Sequence, residues 1–295
     1  MRLTLFTIVI PAFFLFFGIY TYFSFYDSKL HVTICDVGQG DGIVIRTPRG
    51  HVIVFDGGPD QSILRCLDSS LPFWQKSIDI VLLSHPHADH LNGLVDVFAH
   101  YAVKKFATEA VGNTSYGYKA LQNEVEKEGI SWELLEIGDI VKTDDEVTFT
   151  IIGPSEEFVK KTVAGGLVLS SGEVPTLEVL VSYGDFDLLL TGDSQHQELK
   201  EAISAYQHLF DGHSGRRSIE VLQVPHHGSR TGLTKALVAW LHPTIATISS
   251  GKGNSYGHPA SEIVKTLREH GVEVHRTDTE GNLRLVTDGK TYNLQ

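Results

Sequence analysis

Three histidines and an aspartate fall within one six-residue stretch, and side chains of these types bind metal ions. The four residues are His85, His87, Asp89 and His90. Imidazole and carboxylate groups suit zinc, manganese or iron. An apolar run precedes the stretch and an amphipathic segment follows it, which predicts a buried strand, a loop and a helix. We therefore expect a metal-binding loop at the end of a rigid strand.

Three later segments repeat the pattern of an apolar strand that runs into polar residues. They end at Asp193, at the pair His226-His227, and at His258. If these strand ends meet at one edge of the fold, Asp193 is the natural bridge between two ions. Two ions roughly 3.5–4 Å apart clamp a phosphoryl group and bind a hydroxide nucleophile between them. The pattern therefore predicts a two-ion centre.

The predicted metal ligands come from one loop and two strand ends: His85, His87, Asp89, His90, Asp193, His226 and His227. His85 and His87 are two residues apart, so both can face a first ion on an extended loop. Asp89 and His90 reach a second ion, which one histidine of the pair at 226–227 completes. The residues do not decide which of these two histidines is the ligand.

Catalytic roles are expected for Asp89, Asp193 and His258. Either carboxylate can orient the attacking water, while His258 can donate a proton to a leaving oxygen or hold a phosphate oxygen. Ser229 and Asn254 are expected to contact the substrate together with His258. For Ser229, a role in capping the following helix is the alternative.

Three further aspartates follow strands in glycine-rich turns: Asp36, Asp41 and Asp56. As turn residues each would be unremarkable. Their position at strand ends predicts that they form hydrogen bonds to the metal ligands and orient them.

The rest of the chain alternates strand and helix patterns in both halves, with no linker between the halves. This predicts one α+β domain over residues 29–295, with two sheets that face each other and helices outside. The glycine- and serine-rich stretch over residues 155–175 is typical of a mobile loop, and we expect it near the mouth of the site.

Residues 3–26 contain no charged side chain. As a helix they would span roughly 36 Å, so we predict that residues 1–28 anchor the protein as one transmembrane helix in the lipid bilayer. A cleaved signal peptide is the alternative, which the bulky residues after the span disfavour. Arg2 in front of the span favours an extracytoplasmic domain.

The net charge of −12 argues against a broad electrostatic contact with nucleic acid. It does not exclude a nuclease, because metal ions supply positive charge locally. Cys35 and Cys66 match no structural zinc motif, and the sequence does not decide whether they pair.

The His85-x-His87-x-Asp89-His90 signature resembles that of the metallo-β-lactamase superfamily. Six ordered motifs narrow the resemblance to the hydrolase domain of ComEC-type competence proteins: Asp36-Val37-Gly38-Gln39-Gly40-Asp41, Asp56-Gly57-Gly58, Ser84-His85-Pro86-His87-Ala88-Asp89-His90, Thr191-Gly192-Asp193, His226-His227-Gly228-Ser229 and Asn254-x-Tyr256-Gly257-His258-Pro259. The resemblance covers about residues 30–289. It implies an αββα sandwich with mixed sheets, a zinc- or manganese-dependent hydrolase and, for the competence proteins, a nuclease that acts on incoming DNA.

One departure from the superfamily pattern bears on the metals. The superfamily usually has another histidine ligand between the first loop and the bridging aspartate, but here only His100 lies between His90 and Asp193. We expect water or a loop oxygen to fill the shell of the first ion, which makes that ion the weaker, exchangeable or absent one. Residues 173–177 also lack the asparagine and serine that related domains show.

These observations predict a membrane-anchored, metal-dependent phosphodiesterase or nuclease that uses a metal-bound hydroxide. Its expected substrate is a phosphodiester, such as single-stranded DNA or a nucleotide. One alternative is a hydrolase of another ester or amide, lactams included, because one fold supports many chemistries. A second alternative is a binding module that has lost turnover, which the missing histidine favours.

Overall fold

The computed structural model describes residues 2–163, 167–168, 174–210 and 219–295. At residues 2–8, 24, 167, 168 and 210 it describes the backbone alone. Residues 164–166 and 169–173 of the predicted mobile loop lie outside the described residues, and Glu173 of the segment 173–177 is among them. The start of that loop is instead helical, over Glu156–Thr162.

The first sheet has eight strands and combines antiparallel with parallel pairs. Its spatial order is β19 (Tyr292–Leu294), β18 (Leu283–Thr287), β1 (Leu30–Ile34), β2 (Gly42–Arg46), β3 (Val52–Gly57), β5 (Ile80–Leu83), β7 (Phe106–Thr108) and β9 (Trp132–Leu134). The strands from β19 to β3 pair antiparallel, and those from β3 to β9 pair parallel.

The second sheet has seven strands and is also mixed. Its order is β10 (Ile140–Lys142), β11 (Thr148–Gly153), β13 (Glu178–Tyr183), β14 (Phe186–Leu190), β15 (Val221–Gln223), β16 (Ile245–Ile248) and β17 (Glu273–Arg276). Pairs up to β14 are antiparallel, and those beyond it are parallel. Two short pairs join β4 (Ser77–Ile78) to β6 (Ala102–Val103) and β8 (Gly112–Asn113) to β12 (Leu167–Val168).

The described residues form ten α-helices. They are α1 (Arg2–Phe25), α2 (Ser62–Ser70), α3 (Ala88–His100), α4 (Tyr116–Lys127), α5 (Glu156–Thr162), α6 (His196–Ala205), α7 (Gln207–Phe210), α8 (Lys235–Leu241), α9 (Ser261–Glu269) and α10 (Thr277–Glu280). One apolar cluster joins the first sheet to α2, α3 and α4, and another joins the second sheet to α6, α8 and α9.

A third apolar cluster fills the space between the sheets. Alternate strand residues supply it, because successive side chains point to opposite faces. In β14, Leu188 and Leu190 enter the layer between the sheets, whereas Leu189 packs towards the helices. The predicted α+β sandwich of two facing mixed sheets with outer helices is therefore confirmed.

The predicted transmembrane anchor over residues 3–26 is not supported. Among the residues that the structure describes, no helix combines the length and the apolar character that crossing a membrane requires.

A disulfide joins Cys35 at the end of β1 to Cys66 in α2, with the two Cα atoms 5.8 Å apart. This settles the pairing that the sequence left open. The bridge ties the first sheet to its helical layer directly before the loop that carries Asp41.

Candidate metal centre

The strand ends of both sheets bring the predicted ligands to one edge of the sandwich. β5 ends at Leu83, directly before the loop that carries His85 and His87, and α3 then begins at Ala88. The two halves join here, since the backbone N–H of Leu177 donates a hydrogen bond of 2.9 Å to the carbonyl of Ser84. The strand that delivers Asp193 belongs to the other sheet.

The second-ion set contains Asp89, His90, Asp193 and His227, which each offer one ligand atom within 4.8 Å of the others. Nε2 of His90 lies 3.2 Å from Oδ1 of Asp193, and Nε2 of His227 lies 3.3 Å from the same oxygen. Nε2 of His227 is also 3.5 Å from Oδ2 of Asp89. The four residues thus form a compact pocket for one cation.

The first-ion set contains His85, His87 and Asp193, again with ligand atoms within 4.8 Å. Nε2 of His85 lies 3.8 Å from Oδ2 of Asp193. The His85 and His87 rings meet edge to face, with centroids 4.7 Å apart. Asp193 therefore belongs to both sets, with a different oxygen towards each.

Asp56 orients the second-ion set from behind. Its Oδ2 accepts hydrogen bonds from Nδ1 of His90 at 2.8 Å and from the Ser84 hydroxyl at 2.6 Å, and its Oδ1 accepts the Ser84 backbone N–H at 2.7 Å. A carboxylate on Nδ1 fixes the tautomer that leaves Nε2 free for a metal. Burial raises the pKa of Asp56, although His90 and Ser84 oppose that shift.

Asp41 plays a similar part behind His227. Its Oδ1 lies 3.5 Å from Nδ1 of His227, which also donates to the carbonyl of Ser249 at 3.1 Å. The other oxygen of Asp41 accepts a hydrogen bond of 2.8 Å from the side-chain amide of Gln223. Asp41 and Asp56 thus lie where the sequence places supporting carboxylates.

The donor set fits a divalent cation. Nε2 of His85, His90 and His227 and Oδ1 of Asp193 are buried, and none has a hydrogen-bond partner among the described residues. Buried polar atoms normally have partners, so several that converge without one indicate a cation between them. Imidazole and carboxylate together suit zinc or manganese. The arrangement supports a divalent metal as the cofactor.

Two of the ligands, Asp193 and His85, have the charges that suit a cation. Burial alone would raise the pKa of Asp193, but His227 and His90 outweigh it and hold that pKa well below its usual value. Burial, and next the charge of His90, lowers the pKa of His85 well below its usual value. An ionised carboxylate and a neutral imidazole are the forms that bind metals.

Residues of both sets line one wall of an open cavity of about 800 Å³, namely His85, His87, Asp89, Asp193 and His227. The rest of its lining includes Gln39, Pro59, Asp60, Asn113, Ser115, Val174, Gln195, His226, Tyr256 and His258. Among these and the other described lining residues there is no lysine or arginine. An anionic group in this cavity would therefore depend on metal ions and histidines for its binding.

His258 faces the cavity beside the histidine pair. Its ring centroid lies 5.7 Å from that of His226 and 6.3 Å from that of His227. Burial lowers its pKa, with further lowering from His227 and His226. The structure therefore brings His258 to the site.

Three predicted residues lie elsewhere. Asp36 is exposed, and its carboxylate accepts from the Gly38 N–H in the turn. Ser229 and Asn254 are not among the described lining residues. The Asn254 amide instead bonds the carbonyl and the N–H of His258, and so holds the loop that presents this histidine. A direct substrate contact by Ser229 and Asn254 stays a prediction.

Sequence reasoning missed three polar residues of the site. Ser84 bonds Asp56, Gln223 bonds Asp41, and the side chain of Gln195 lies 3.0 Å from Nδ1 of His226. Ser84 and Gln195 stand one and two residues from predicted ligands, which was the available signal. Nothing in the sequence pointed to Gln223, because its pattern is that of an ordinary strand residue.

An αββα sandwich with an imidazole–carboxylate cluster at one edge of its sheets defines a class of metal-centred proteins. The family model of the metallo-β-lactamase superfamily matches residues 35–252. The chain belongs to this superfamily, whose members are generally metal-dependent hydrolases.

Similar curated proteins carry names from competence. ComE operon protein 3 of Bacillus subtilis (strain 168) is 26% identical over 275 residues, which cover 87% of this chain and 33% of that protein. Competence protein ComA of Neisseria gonorrhoeae is 26% identical over 266 residues, which cover 88% of this chain and 32% of that protein. The resemblance to the ComEC type is thus shown, and the chain spans about a third of these relatives.

Solved structures show the same fold. The metallo-β-lactamase fold protein YhfI from Bacillus subtilis has a TM-score of 0.53 at 12% identity, covering 85% of this chain and 98% of its own. CmlA, a diiron β-hydroxylase from Streptomyces venezuelae, has a TM-score of 0.52 at 13% identity, covering 88% of this chain and 54% of its own. At such identities the likeness concerns the fold alone.

Proposed function

We propose that this chain is a two-ion phosphodiesterase or nuclease that uses zinc or manganese. The observation that carries the proposal is the Asp193 carboxylate, which stands between two histidine-containing ligand sets in the wall of an open cavity. Two ions that share a carboxylate suit the in-line displacement at a phosphodiester. The resemblance to competence proteins makes single-stranded DNA or a nucleotide the substrate that we propose.

Bound divalent ions would act as Lewis acids and lower the pKa of a water molecule to about 7. The residues supply the rest of the chemistry. Asp193 holds the two ligand sets together. Asp89, whose side chain is 35% exposed, orients the attacking water from the cavity wall. His258 faces the same space, where it holds a phosphate oxygen or passes a proton to the leaving oxygen.

The lining also predicts how DNA would bind. The described lining residues carry no lysine or arginine, and the chain has a net charge of −12. Affinity for DNA is therefore expected to require the metal and to fall with salt. Tight binding of DNA to metal-free protein would contradict this account of the site.

An extracytoplasmic location is part of the proposal. The Cys35–Cys66 disulfide supports it, because such bonds persist in oxidising compartments. A thiol-alkylation assay on freshly lysed cells checks it. Both cysteines should be protected until a reductant is added, and free thiols would contradict an extracytoplasmic location.

We also propose that residues 3–26 contact a lipid bilayer. Large apolar side chains between Val9 and Phe23 are exposed, among them Phe13, Phe14, Leu15 and Phe16. Extended apolar surface of this kind marks an interaction site. Co-sedimentation of the full chain with phosphatidylglycerol vesicles tests the contact, and an unchanged supernatant would count against it.

Hydrolysis of bis-p-nitrophenyl phosphate by the full chain with Mn²⁺ tests the proposed function. His87→Ala and Asp193→Ala are expected to abolish turnover, because each removes a ligand. His100→Ala, which alters an exposed histidine outside the cavity lining, is the matched control and should stay active.

Two outcomes would contradict the proposal. Turnover of a lactam without cleavage of a phosphodiester or a single-stranded oligonucleotide would favour a hydrolase of another bond. Metal binding without turnover of either class would favour a binding module.

A further inference from the structure

Each carboxylate oxygen of Asp193 lies between two histidine nitrogens. Oδ1 is 3.2 Å from Nε2 of His90 and 3.3 Å from Nε2 of His227. Oδ2 is 3.8 Å from Nε2 of His85 and 3.6 Å from Nε2 of His226. The two adjacent histidines at 226 and 227 thus face opposite oxygens of one carboxylate.

The backbone of the turn Pro225–Gly228 produces this divergence. His226 and His227 both have left-handed backbones, with φ/ψ of 52°/45° and 56°/24°. Two successive non-glycine residues in this region are uncommon, and such strain concentrates at functional sites. The conformation sets the two rings 6.1 Å apart and nearly perpendicular, at 77°. One ring can therefore serve each side of Asp193.

We propose that His226 is the fourth protein ligand of the first ion and replaces the histidine that the superfamily pattern leads one to expect before Asp193. The inference rests on the two-ion centre proposed above and assigns one histidine of the tandem to each ion. His227 completes the set of Asp89, His90 and Asp193, and His226 completes the set of His85, His87 and Asp193.

The distances suit this assignment. Ligand atoms of a tetrahedral ion with bonds of about 2.1 Å are about 3.4 Å apart. The separations of 3.6 Å and 3.8 Å around Oδ2 are close to this value. The His226 side chain is 31% exposed, whereas those of His85 and His227 are 0% and 2% exposed. The His226 ring is not among the ligand atoms that lie within 4.8 Å of one another around the first ion, so it must move towards His85 and His87 when the ion binds, and its exposure leaves room for that movement.

Gln195 holds the other side of the His226 ring, with its amide 3.0 Å from Nδ1. In the ligating tautomer, Nδ1–H donates to the Gln195 oxygen and Nε2 points to the metal. The structure places the amide nitrogen of Gln195 beside Nδ1, so this tautomer requires the amide to turn over and to give up its capping contact with the backbone of α6. Gln195 is then the positioning residue of the first ion, two residues after the aspartate that both ions share.

Zinc binding by the full chain tests the assignment without any activity measurement. Equilibrium dialysis against buffered Zn²⁺, followed by elemental analysis, should show two ions per wild-type chain. His226→Asn should weaken one ion at least about tenfold and leave the other unchanged. Asparagine tolerates the left-handed backbone, so this variant should keep the turn. His100→Asn is the control and should bind as wild type.

Double variants identify which ion has weakened. Adding His87→Ala to His226→Asn should not weaken the second ion, because both changes affect the first. Adding His227→Asn should weaken both ions. Circular dichroism of each variant confirms that the fold is retained.

The outcomes separate this inference from the proposed function. Two zinc ions bound with unchanged affinity in His226→Asn would overturn the assignment alone, as would loss of the first ion in His258→Ala but not in His226→Asn. A wild-type chain that saturates at one ion would overturn both. Two ions that follow the predicted pattern without phosphodiester turnover would support the assignment and refute the function.

Discussion

The two ligand sets around Asp193 differ in what lies behind them. In the second-ion set, His90 and His227 are buried, and each has a carboxylate near its far nitrogen, Asp56 at 2.8 Å and Asp41 at 3.5 Å. Around the first ion, the far nitrogens of His85 and His226 meet neutral groups. The Ser84 hydroxyl lies 3.0 Å from Nδ1 of His85, and the Gln195 amide lies near His226.

One carboxylate can therefore contribute to two metal sites whose histidine ligands are supported to different degrees. A carboxylate behind an imidazole makes it a more basic ligand and fixes its orientation, whereas a hydroxyl or amide does so less strongly. We therefore expect the second ion to bind more tightly and the first to exchange. The sequence also predicted a weaker first ion, but for another reason: it lacks the histidine ligand that the superfamily usually has between the first loop and the bridging aspartate.

Removal of the shared carboxylate should have the largest effect. Asp193→Ala takes a ligand from both sets. The activation free energy of phosphodiester hydrolysis should therefore rise by several kcal/mol, which lowers turnover about 10³-fold or more. Asp185→Ala, an exposed aspartate in the same hairpin, is the control. Steady-state kinetics with Mn²⁺ measures the effect, and a loss below tenfold would show that Asp193 does not hold the reacting ions.

Asp56→Asn tests the support of the second ion. The amide offers one acceptor where the carboxylate offered two, and its NH₂ faces hydrogen-bond donors. Zinc affinity of the second ion should fall about 10- to 100-fold, while the first ion is unchanged. Isothermal titration calorimetry measures both. Asp36→Asn, at an exposed aspartate, should change neither, and equal losses at both ions would remove the distinction between the sets.

Gln195→Ala tests the neutral support of the first ion. Because the amide is a weaker partner than a carboxylate, the expected loss is about tenfold or less in affinity for the first ion. Gln197→Ala alters an exposed glutamine of the same helix and is the control. If Gln195→Ala weakens the second ion instead, His226 belongs to the other set.

The smallest effect concerns an imidazole outside the centre. Burial lowers the pKa of His275, but Glu280 and Glu273 outweigh it, and the net shift is upward. A histidine with a raised pKa in the fold stabilises the protein fully below its unfolded pKa of about 6.5, and that stability is lost as pH rises through the folded pKa.

His275→Gln should therefore lower the melting temperature slightly at pH 5.5 and leave it unchanged at pH 9. Thermal unfolding with and without Zn²⁺ measures the shift, which should not depend on the metal. Dependence on the metal would show that stability is coupled between this histidine and the centre.

The sequence predicted the sandwich because its strands are apolar on both faces and its helices are amphipathic, as β14 and α3 show. It predicted the ligands because each segment that carries them begins directly after a strand. It did not predict the contact of Gln223 with Asp41, which are 182 positions apart and meet only when the two sheets face each other.

Two other features were beyond sequence reasoning for similar reasons. The assignment of His226 and His227 to different ions depends on the left-handed backbone of both residues, which no local sequence pattern predicts. The Cys35–Cys66 bond depends on how α2 packs on the first sheet, and spacing alone does not reveal that. What the sequence misses here are contacts between elements, rather than the elements themselves.

The most direct test of the account is a crystal structure of the full chain grown with Mn²⁺ or Zn²⁺ and measured at the metal absorption edge. We expect two anomalous peaks roughly 3.5–4 Å apart, one on each side of the Asp193 carboxylate. The peak beside His90 and His227 should be the stronger, and the peak beside His85 and His226 the weaker. A single peak, or a pair that leaves Asp193 uncoordinated, would contradict the two-ion centre.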